Sequence, residues 1–223
     1  MKKIIIALDG PAGSGKSTTA RIVAEKLGYT YIDTGAMYRA ITLAAIENNT
    51  PIEEEYLANL TSSINIQLIP TEKGLRTMLN GRDVSERIRE NDVTAHVSAV
   101  SAVQSVRTKM VDLQQQIGKH GGVVMDGRDI GTVVFPDAEL KVFMVADIHK
   151  RATRRLAEMK QIDSSIEDIA AMLTQRDILD STREISPLTK ADDAIEIDTS
   201  DVTIQEQVNI IITLAEQKIN LFC

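Results

Sequence analysis

Short apolar runs alternate with helical patterns along most of the 223-residue chain. Residues 3–8 form a run rich in β-branched side chains, which is typical of a buried parallel strand. Residues 18–27 carry apolar positions at helical spacing and stop before Gly28, a favourable helix C-cap. The alternation then continues, with strands predicted at 30–32, 122–126, 140–145 and 194–197 and helices at 34–48, 92–117, after Asp147, 165–182 and 204–219. This order predicts an α/β fold in three layers, a central five-stranded parallel sheet between helices.

Residues 50–91 interrupt this alternation. Residues 64–68 alternate like a half-buried strand, 75–79 form a second short strand, and 82–84 return as a third after the turn dipeptide Asn80-Gly81. We therefore expect a small antiparallel insert within a single domain spanning 1–223. A lid or recognition lobe and a stabilising flap are both compatible with the pattern.

A glycine-rich segment joins the first predicted strand to the first predicted helix. Residues 10–17, GPAGSGKS, match the phosphate-binding P-loop pattern G-x-x-x-x-G-K-[ST]. The glycines allow backbone N–H groups to close around an oxyanion, and the helix N-terminus adds its positive dipole end. The motif predicts binding of ATP or GTP by Gly10, Pro11, Ala12, Gly13, Ser14, Gly15, Lys16, Ser17 and Thr18. Lys16 is expected to reach the β- and γ-phosphates.

A second polar cluster follows the predicted strand 122–126. That strand ends in Asp126, where P-loop proteins hold an acidic group near Mg²⁺, so Ser17 and Asp126 are the candidate metal ligands. Arg128 and Asp129 come directly after it. The alternative is a tight turn that makes its own salt bridges.

The net charge of −7 argues against a general nucleic-acid-binding protein, which normally carries a basic surface. A chain of this charge that binds nucleotides must gather its cations locally. Two predicted helices carry arginines close together, Arg151, Arg154 and Arg155 on the first and Arg176 and Arg183, with Asp180 on the same face, on the second. The spacing allows a solvated basic face, intrahelical ion pairs or a phosphate clamp. At the end of the second strand, Thr34 and Arg39 fit either an acceptor site or a helix cap with a solvated arginine.

We expect the protein to be cytoplasmic and monomeric. Cys223 is the single cysteine, which excludes an internal disulfide and favours a reducing compartment. We expect no signal peptide, because Asp9 interrupts the apolar run after Lys2-Lys3, and no membrane segment, because no run approaches spanning length.

Three segments that follow the P-loop resemble the bacterial cytidylate kinase family. They are residues 33–39 (DTGAMYR), residues 126–136 (DGRDIGTVVFP), and Arg176-Asp177, Asp180, Arg183 and Pro187-Leu188. The resemblance covers almost the whole chain. It implies an ATP-dependent phosphotransferase of pyrimidine nucleotide metabolism that converts CMP or dCMP with Mg²⁺ as cofactor, residues 50–91 forming the acceptor-side lobe and 148–165 a short helical lid.

The resemblance also implies roles for individual residues. Thr34 would lie near the acceptor, and Arg39 and Arg128 would hold its α-phosphate. Ser98, Arg107 and Asp129 would face the cytosine, and Arg176, Asp180 and Arg183 would bind phosphate and sugar hydroxyls. Arg151, Arg154 and Arg155 would belong to the lid over ATP. The implied catalytic residues are Lys16, Arg128, Arg151, Arg155 and Arg176. Ser17 is one departure, since some relatives have glycine there.

The chemistry of cytosine agrees with this assignment, because its N4 amino group is a donor and the Asp129 carboxylate is a natural acceptor. A kinase for UMP, AMP or a small metabolite is an alternative. A GTP-dependent switch is another, although its usual Asn-Lys-x-Asp segment is absent from the sequence.

Overall fold

The computed structural model describes residues 3–71, 74–158 and 164–221. Residues 159–163, part of the predicted lid 148–165, lie outside them. The strands are β1 (Ile5–Asp9), β2 (Thr30–Asp33), β3 (Ile66–Thr71), β4 (Gly74–Leu79), β5 (Arg82–Asp83), β6 (Val123–Gly127), β7 (Leu140–Val145) and β8 (Ile195–Asp198). The α-helices are α1 (Lys16–Leu27), α2 (Thr34–Glu47), α3 (Glu54–Ser63), α4 (Asn91–Ala102), α5 (Gln104–Gly118), α6 (Ile148–Glu158), α7 (Ile166–Thr182) and α8 (Ile204–Asn220).

The chain folds as two compact units. The first, here the P-loop unit, contains the described residues up to Tyr31 and those from His120 onward, and the second, here the middle unit, contains residues 32–119. Among the described residues, no helix is both long and apolar enough to cross a bilayer.

The central sheet has five strands in the order β2-β6-β1-β7-β8. β1 runs parallel to both β6 and β7, and β7 runs parallel to β8. The predicted five-stranded parallel sheet is therefore confirmed. Its core is aliphatic and includes Ile4, Ile6, Leu8, Val23, Val124, Val142, Val208 and Ile211.

The first helix ends where the sequence predicted, because Gly28 adopts a left-handed conformation (φ 64°) and its N–H caps the helix. The next helix begins with a side-chain cap. Asp33 accepts a hydrogen bond from the N–H of Ala36 at 2.9 Å, so the cap is Asp33 and not Thr34.

The middle unit contains the predicted antiparallel sheet, in the order β3-β4-β5. Helix α3 precedes that sheet and was not predicted. The prediction of one helix over 92–117 was wrong, because the chain is extended at Val103 (φ −74°, ψ 132°) and α5 starts anew after it. The Glu54 carboxylate accepts from the N–H of Ser105, which satisfies a backbone donor in the first turn of α5.

Candidate active site

Three glycines of the loop between β1 and α1 have positive φ angles, Gly10 at 144°, Gly13 at 76° and Gly15 at 92°. A Cβ atom on Gly10 would lie 2.1 Å from the carbonyl oxygen of Met144, so no other residue fits there. Gly15 caps α1 without any side-chain hydrogen bond. The first N–H groups of α1 therefore face the loop with no side chain capping them, the arrangement that binds phosphate oxygens.

Lys16 opens α1 and is buried. Its Nζ donates to the carbonyl oxygen of Pro11 at 2.6 Å and to the hydroxyl of Ser14 at 3.2 Å. Burial and then the charge of Arg128 hold the pKa of Lys16 well below its usual value. A phosphate anion beside Nζ would supply the opposite charge that this ammonium group favours.

Ser17 and Asp126, the predicted metal ligands, are in contact. The Ser17 hydroxyl donates to Oδ2 of Asp126 at 2.6 Å, and the hydroxyl of Tyr31 donates to Oδ1 at 2.8 Å. Both predicted ligands offer oxygen, which suits Mg²⁺ bound by one or two protein groups and by nucleotide phosphates. Among the residues that the structure describes, no group of three or more histidine, cysteine or acidic side chains forms a separate metal site.

Two arginines of the P-loop unit repel each other and Lys16. Arg176 has its pKa lowered to about 10, first by burial and then by the charge of Arg128. Within the described chain, the buried Nε of Arg176 has no hydrogen-bond partner. Cations that destabilise one another in this way favour an anion among them.

Asp180 relieves part of this repulsion. Its carboxylate accepts from Nε of Arg128 at 2.9 Å, and Asp180 is almost fully buried. The ion pair links the segment after β6 to α7, so the polar cluster there is more than a turn with its own salt bridges. Asp180 also lowers the repulsion on Arg176, since its charge raises the pKa of that guanidinium.

Asp129 and Arg183 form a second buried pair. Nη2 of Arg183 lies 3.8 Å from Oδ1 of Asp129, and both side chains are nearly inaccessible. Arg183 follows the last residue of α7, and its Nε donates to the carbonyl oxygen of Ser186. Asp180 and Arg183 thus contact the segment after β6, at Arg128 and Asp129, while Asp180 also acts by its charge on Arg176 within α7.

The three arginines of α6 differ in their contacts. Arg151 is buried, and its Nη1 donates to Asp177 at 2.5 Å and to the carbonyl oxygen of Ala12 at 3.2 Å. Arg154 donates to Thr199, whose hydroxyl donates in turn to the carbonyl oxygen of Ser14. Both arginines therefore support the P-loop. Arg155 pairs with Glu158 at 3.2 Å near the surface.

The other predicted substrate-binding residues belong to the middle unit. Thr34 is buried at the start of α2. Nη1 of Arg39 donates to the hydroxyl of Thr94 at 2.8 Å, so Arg39 is not simply a solvated helix residue.

Arg107 is 2% exposed and donates to the carbonyl oxygen of Ser101, and its guanidinium lies 5.3 Å from the ring centre of Tyr38. Ser98, on α4, is partly buried and its carbonyl oxygen accepts from the hydroxyl of Ser101.

Asp9 is a buried carboxylate that the sequence reasoning did not select. It accepts from the N–H groups of Ile130 at 2.8 Å and Gly131 at 2.7 Å. Burial raises its pKa to about 6. Its position, an acidic residue closing a buried strand just before the P-loop, was the only signal in the sequence, because its partners are backbone groups without a motif.

Comparison with known proteins gives one consistent family. The family model described as cytidylate kinase matches residues 6–217. The cytidylate kinase of Bacillus subtilis is 52% identical over 220 residues, which cover 97% of this chain and 98% of the relative. That of Enterococcus faecalis is 52% identical over 221 residues, 98% of each chain.

More distant solved structures resemble the chain in fold. An uncharacterized protein from Eubacterium ventriosum matches with a TM-score of 0.55 at 13% identity, over 96% of this chain and 99% of the other. A gluconokinase from Sinorhizobium meliloti matches with a TM-score of 0.50, also at 13% identity, over 99% and 96%. At such identities the likeness shows the fold alone.

Proposed function

Because the chain belongs to the cytidylate kinase family, we propose that it transfers the γ-phosphoryl group of ATP to CMP or dCMP. The products are ADP and CDP or dCDP. The observation that carries the proposal is the set of mutually repelling cations in the P-loop unit, Lys16, Arg128 and Arg176, with the Nε of Arg176 buried and unpartnered in the described chain. Two phosphate-bearing substrates would bring negative charge that offsets the repulsion among these three side chains.

The donor is ATP, held by the loop and Lys16. The N–H groups at the start of α1 donate to its phosphate oxygens, and Lys16 leaves the carbonyl of Pro11 for the β- and γ-phosphates. Ser17 and Asp126 would hold Mg²⁺, which when bound neutralises charge on the phosphate oxygens. Tyr31 orients the Asp126 carboxylate through its own hydrogen bond.

The acceptor needs no strong general base. Its attacking atom is an oxygen of the CMP phosphate, which is largely ionised at neutral pH because the second pKa of a phosphomonoester is about 6. A new P–O bond forms to that oxygen while the bond between the γ-phosphorus and the bridging oxygen of ADP breaks. Arg128 and Arg176 stabilise the charge on the transferring group, and we propose the same role for Arg151 and Arg155 of the lid 148–165.

Asp129 would read the base. Its carboxylate accepts the N4 amino protons of cytosine, whereas uracil presents a carbonyl oxygen at that position and repels it. Thr34, Arg39, Ser98 and Arg107 of the middle unit keep their predicted acceptor roles in this proposal, and Asp180 and Arg183 keep theirs. The proposal also includes a monomer in the cytoplasm, consistent with a net charge of −7 and a single cysteine.

Turnover of a nucleotide panel tests the function. With ATP and Mg²⁺, we expect kcat/KM for CMP and dCMP to exceed that for UMP and AMP by about 10²-fold or more, measured by coupled ADP release. Asp129→Asn should lower kcat/KM for CMP and narrow the preference over UMP, because an amide can present a donor to the uracil carbonyl.

A matched control is Asp137→Asn, the same change on an exposed side chain a few residues further along the chain. Asp137→Asn should leave kcat/KM for CMP and for UMP within about twofold of wild type. Equal turnover of CMP, UMP and AMP by the wild-type protein would contradict the proposed substrate. An unchanged CMP preference in Asp129→Asn would contradict only the role of that residue.

A further inference from the structure

Asp9 is a buried carboxylate that connects the strand before the P-loop to the segment after β6. It is the last residue of β1 and directly precedes Gly10, the first residue of the P-loop. Its carboxylate is 5% exposed, and the two oxygens are divided between two backbone donors. Oδ1 accepts from Ile130 and Oδ2 from Gly131, across 121 and 122 residues of sequence.

The backbone at Gly131 is enclosed between two side chains. A Cβ atom added there would lie 3.1 Å from Cδ of Lys141 and 3.4 Å from Oδ2 of Asp9. Lys141 is itself buried, and its Nζ is held by Asp193 at 2.8 Å. The loop therefore has little freedom to shift at this residue while both contacts are made.

The residues that Asp9 holds come directly after Arg128 and Asp129. Arg128 is one of the mutually repelling cations, and Asp129 is the residue proposed to read the base. The charge of Asp9 also acts on Lys16, whose pKa it raises. A carboxylate between these groups influences the acceptor loop by hydrogen bonds and the donor lysine by charge.

We propose that Asp9 is a positioning residue for the phosphoryl transfer: its carboxylate fixes the loop that carries Arg128 and Asp129 to the strand that carries the P-loop. This inference rests on the proposed function for the identity of the acceptor. Both carboxylate oxygens of Asp9 already accept from backbone N–H groups, so we assign it no direct contact with a substrate. It acts by setting where Asp129 and Arg128 stand, and a shift of about 1 Å in such groups is enough to lower a rate about 10²-fold.

The amide variant Asp9→Asn separates this role from simple filling of space. An amide has nearly the same shape but only one acceptor oxygen, so it satisfies one of the two N–H groups and turns an NH₂ group toward the other. We expect kcat/KM for CMP to fall about 10- to 100-fold, with a raised KM for CMP and a lowered kcat. The dissociation constant of a non-hydrolysable ATP analogue should change by less than about threefold, because the loop N–H groups that bind phosphate remain. The charge of Asp126, which acts on Lys16 more strongly than that of Asp9, also remains.

Asp168→Asn is the matched control. Asp168 also accepts two hydrogen bonds, from the N–H and hydroxyl of Ser165, but lies at the exposed start of α7. Asp168→Asn should leave kcat/KM for CMP and the dissociation constant of the ATP analogue at wild-type values. The proposal is overturned if Asp9→Asn weakens ATP-analogue binding as much as CMP turnover, or if it leaves both unchanged.

A second variant and a second readout keep the test independent of activity. Gly131→Ala adds a Cβ atom that crowds Cδ of Lys141 at 3.1 Å and lies 3.4 Å from Oδ2 of Asp9. It should displace the same residues from the loop side and reproduce the selective loss for CMP even where Asp9→Asn does not fold. Amide hydrogen exchange, followed by NMR, should be slow at Ile130 and Gly131 in the wild type and faster in Asp9→Asn. Exchange that does not change in Asp9→Asn overturns the inference. A wild-type protein that does not phosphorylate CMP overturns the proposed function instead, while the exchange data still report on Asp9.

Discussion

At the scale of the residue, the protein buries cationic side chains where their charged forms are unfavourable. Arg176 is the clearest case, because burial and the charges of Arg128 and Arg155 all lower its pKa, which reaches about 10. The charged form of Lys16 is disfavoured for the same two reasons, since burial and the charge of Arg128 lower its pKa. Such groups reduce stability in the absence of ligand and become favourable only when an anion joins them. In the proposed function, this would direct binding energy to the transferring phosphoryl group.

Replacing Arg176 should therefore stabilise the protein and inactivate it. Arg176→Met keeps most of the side-chain volume and removes the buried charge. We expect the thermal midpoint to rise by about 2–4 °C, equivalent to about 1 kcal/mol, as measured by calorimetry. The value of kcat/KM for CMP should fall about 10²- to 10³-fold, because the variant loses the cation that we propose to stabilise the transferring phosphoryl group.

The comparison variant for this experiment is Arg21→Met on the exposed surface of α1. It should alter neither the midpoint nor the rate appreciably. If the thermal midpoint of Arg176→Met instead falls below that of wild type, and falls further than that of Arg21→Met, Arg176 is well paired before substrate binds.

Single residues were predictable from the sequence where a motif fixes them. The contact between Ser17 and Asp126 follows from the P-loop and from an acidic residue at the end of β6. The partners of Arg128 and Arg151 were not predictable, since Asp180 and Asp177 approach them only after α7 packs in place. Asp9 could not be assigned a role, because its two donors are backbone groups far away in sequence.

At the scale of the element, α4 begins with an ion pair that makes its stability depend on pH. Nη1 and Nη2 of Arg87 donate to the two oxygens of Asp92, at 2.7 and 2.5 Å. These bonds lower the pKa of Asp92 from 3.8 to about 2. A carboxyl group with a depressed pKa stabilises the folded state above the unfolded pKa, and this contribution disappears as the pH falls through the folded value.

Asp92→Asn should thus lower the urea midpoint of unfolding near neutral pH, and the difference from wild type should close as the pH falls from about 4 to about 2. Circular dichroism across a pH series measures this. The two side chains are 34% and 42% exposed, so solvent screens the pair and we expect a small effect. Asp112→Asn, on an exposed residue of α5, provides the reference. A difference that persists undiminished at about pH 2 would assign the effect to something other than this carboxylate.

Helix α3 and the break between α4 and α5 were not predicted, because neither leaves a clear signal in the apolar pattern. Helix α3 is short and exposed on most of its surface, with Leu57 and Thr61 its buried residues, so its apolar periodicity is weak. The break at Val103 leaves the apolar spacing of 92–117 nearly intact, and no glycine or proline marks it. The parallel strands were found easily because their runs are buried on both faces and contain few polar residues.

At the scale of the whole molecule, a chain with a net charge of −7 must bind substrates that are themselves anions. The structure gathers buried or half-buried cations in the P-loop unit, namely Lys16, Arg128, Arg151 and Arg176. The overall negative charge then acts only at long range, where salt screens it, while the local cations act at contact distance.

A non-hydrolysable ATP analogue with Mg²⁺ should consequently stabilise the whole chain through one unit. At about one hundred times its dissociation constant, a ligand that binds only the folded state adds about 2.7 kcal/mol, a rise in midpoint of about 5–10 °C. Amide exchange should slow first around residues 10–19 and 126–131, because the loop N–H groups acquire partners. Lys16→Met should abolish most of the rise, whereas Lys26→Met, at the exposed last turn of α1, should retain it. A full rise in Lys16→Met, or exchange that slows only in residues 32–119, would mean that the triphosphate binds somewhere other than the glycine loop.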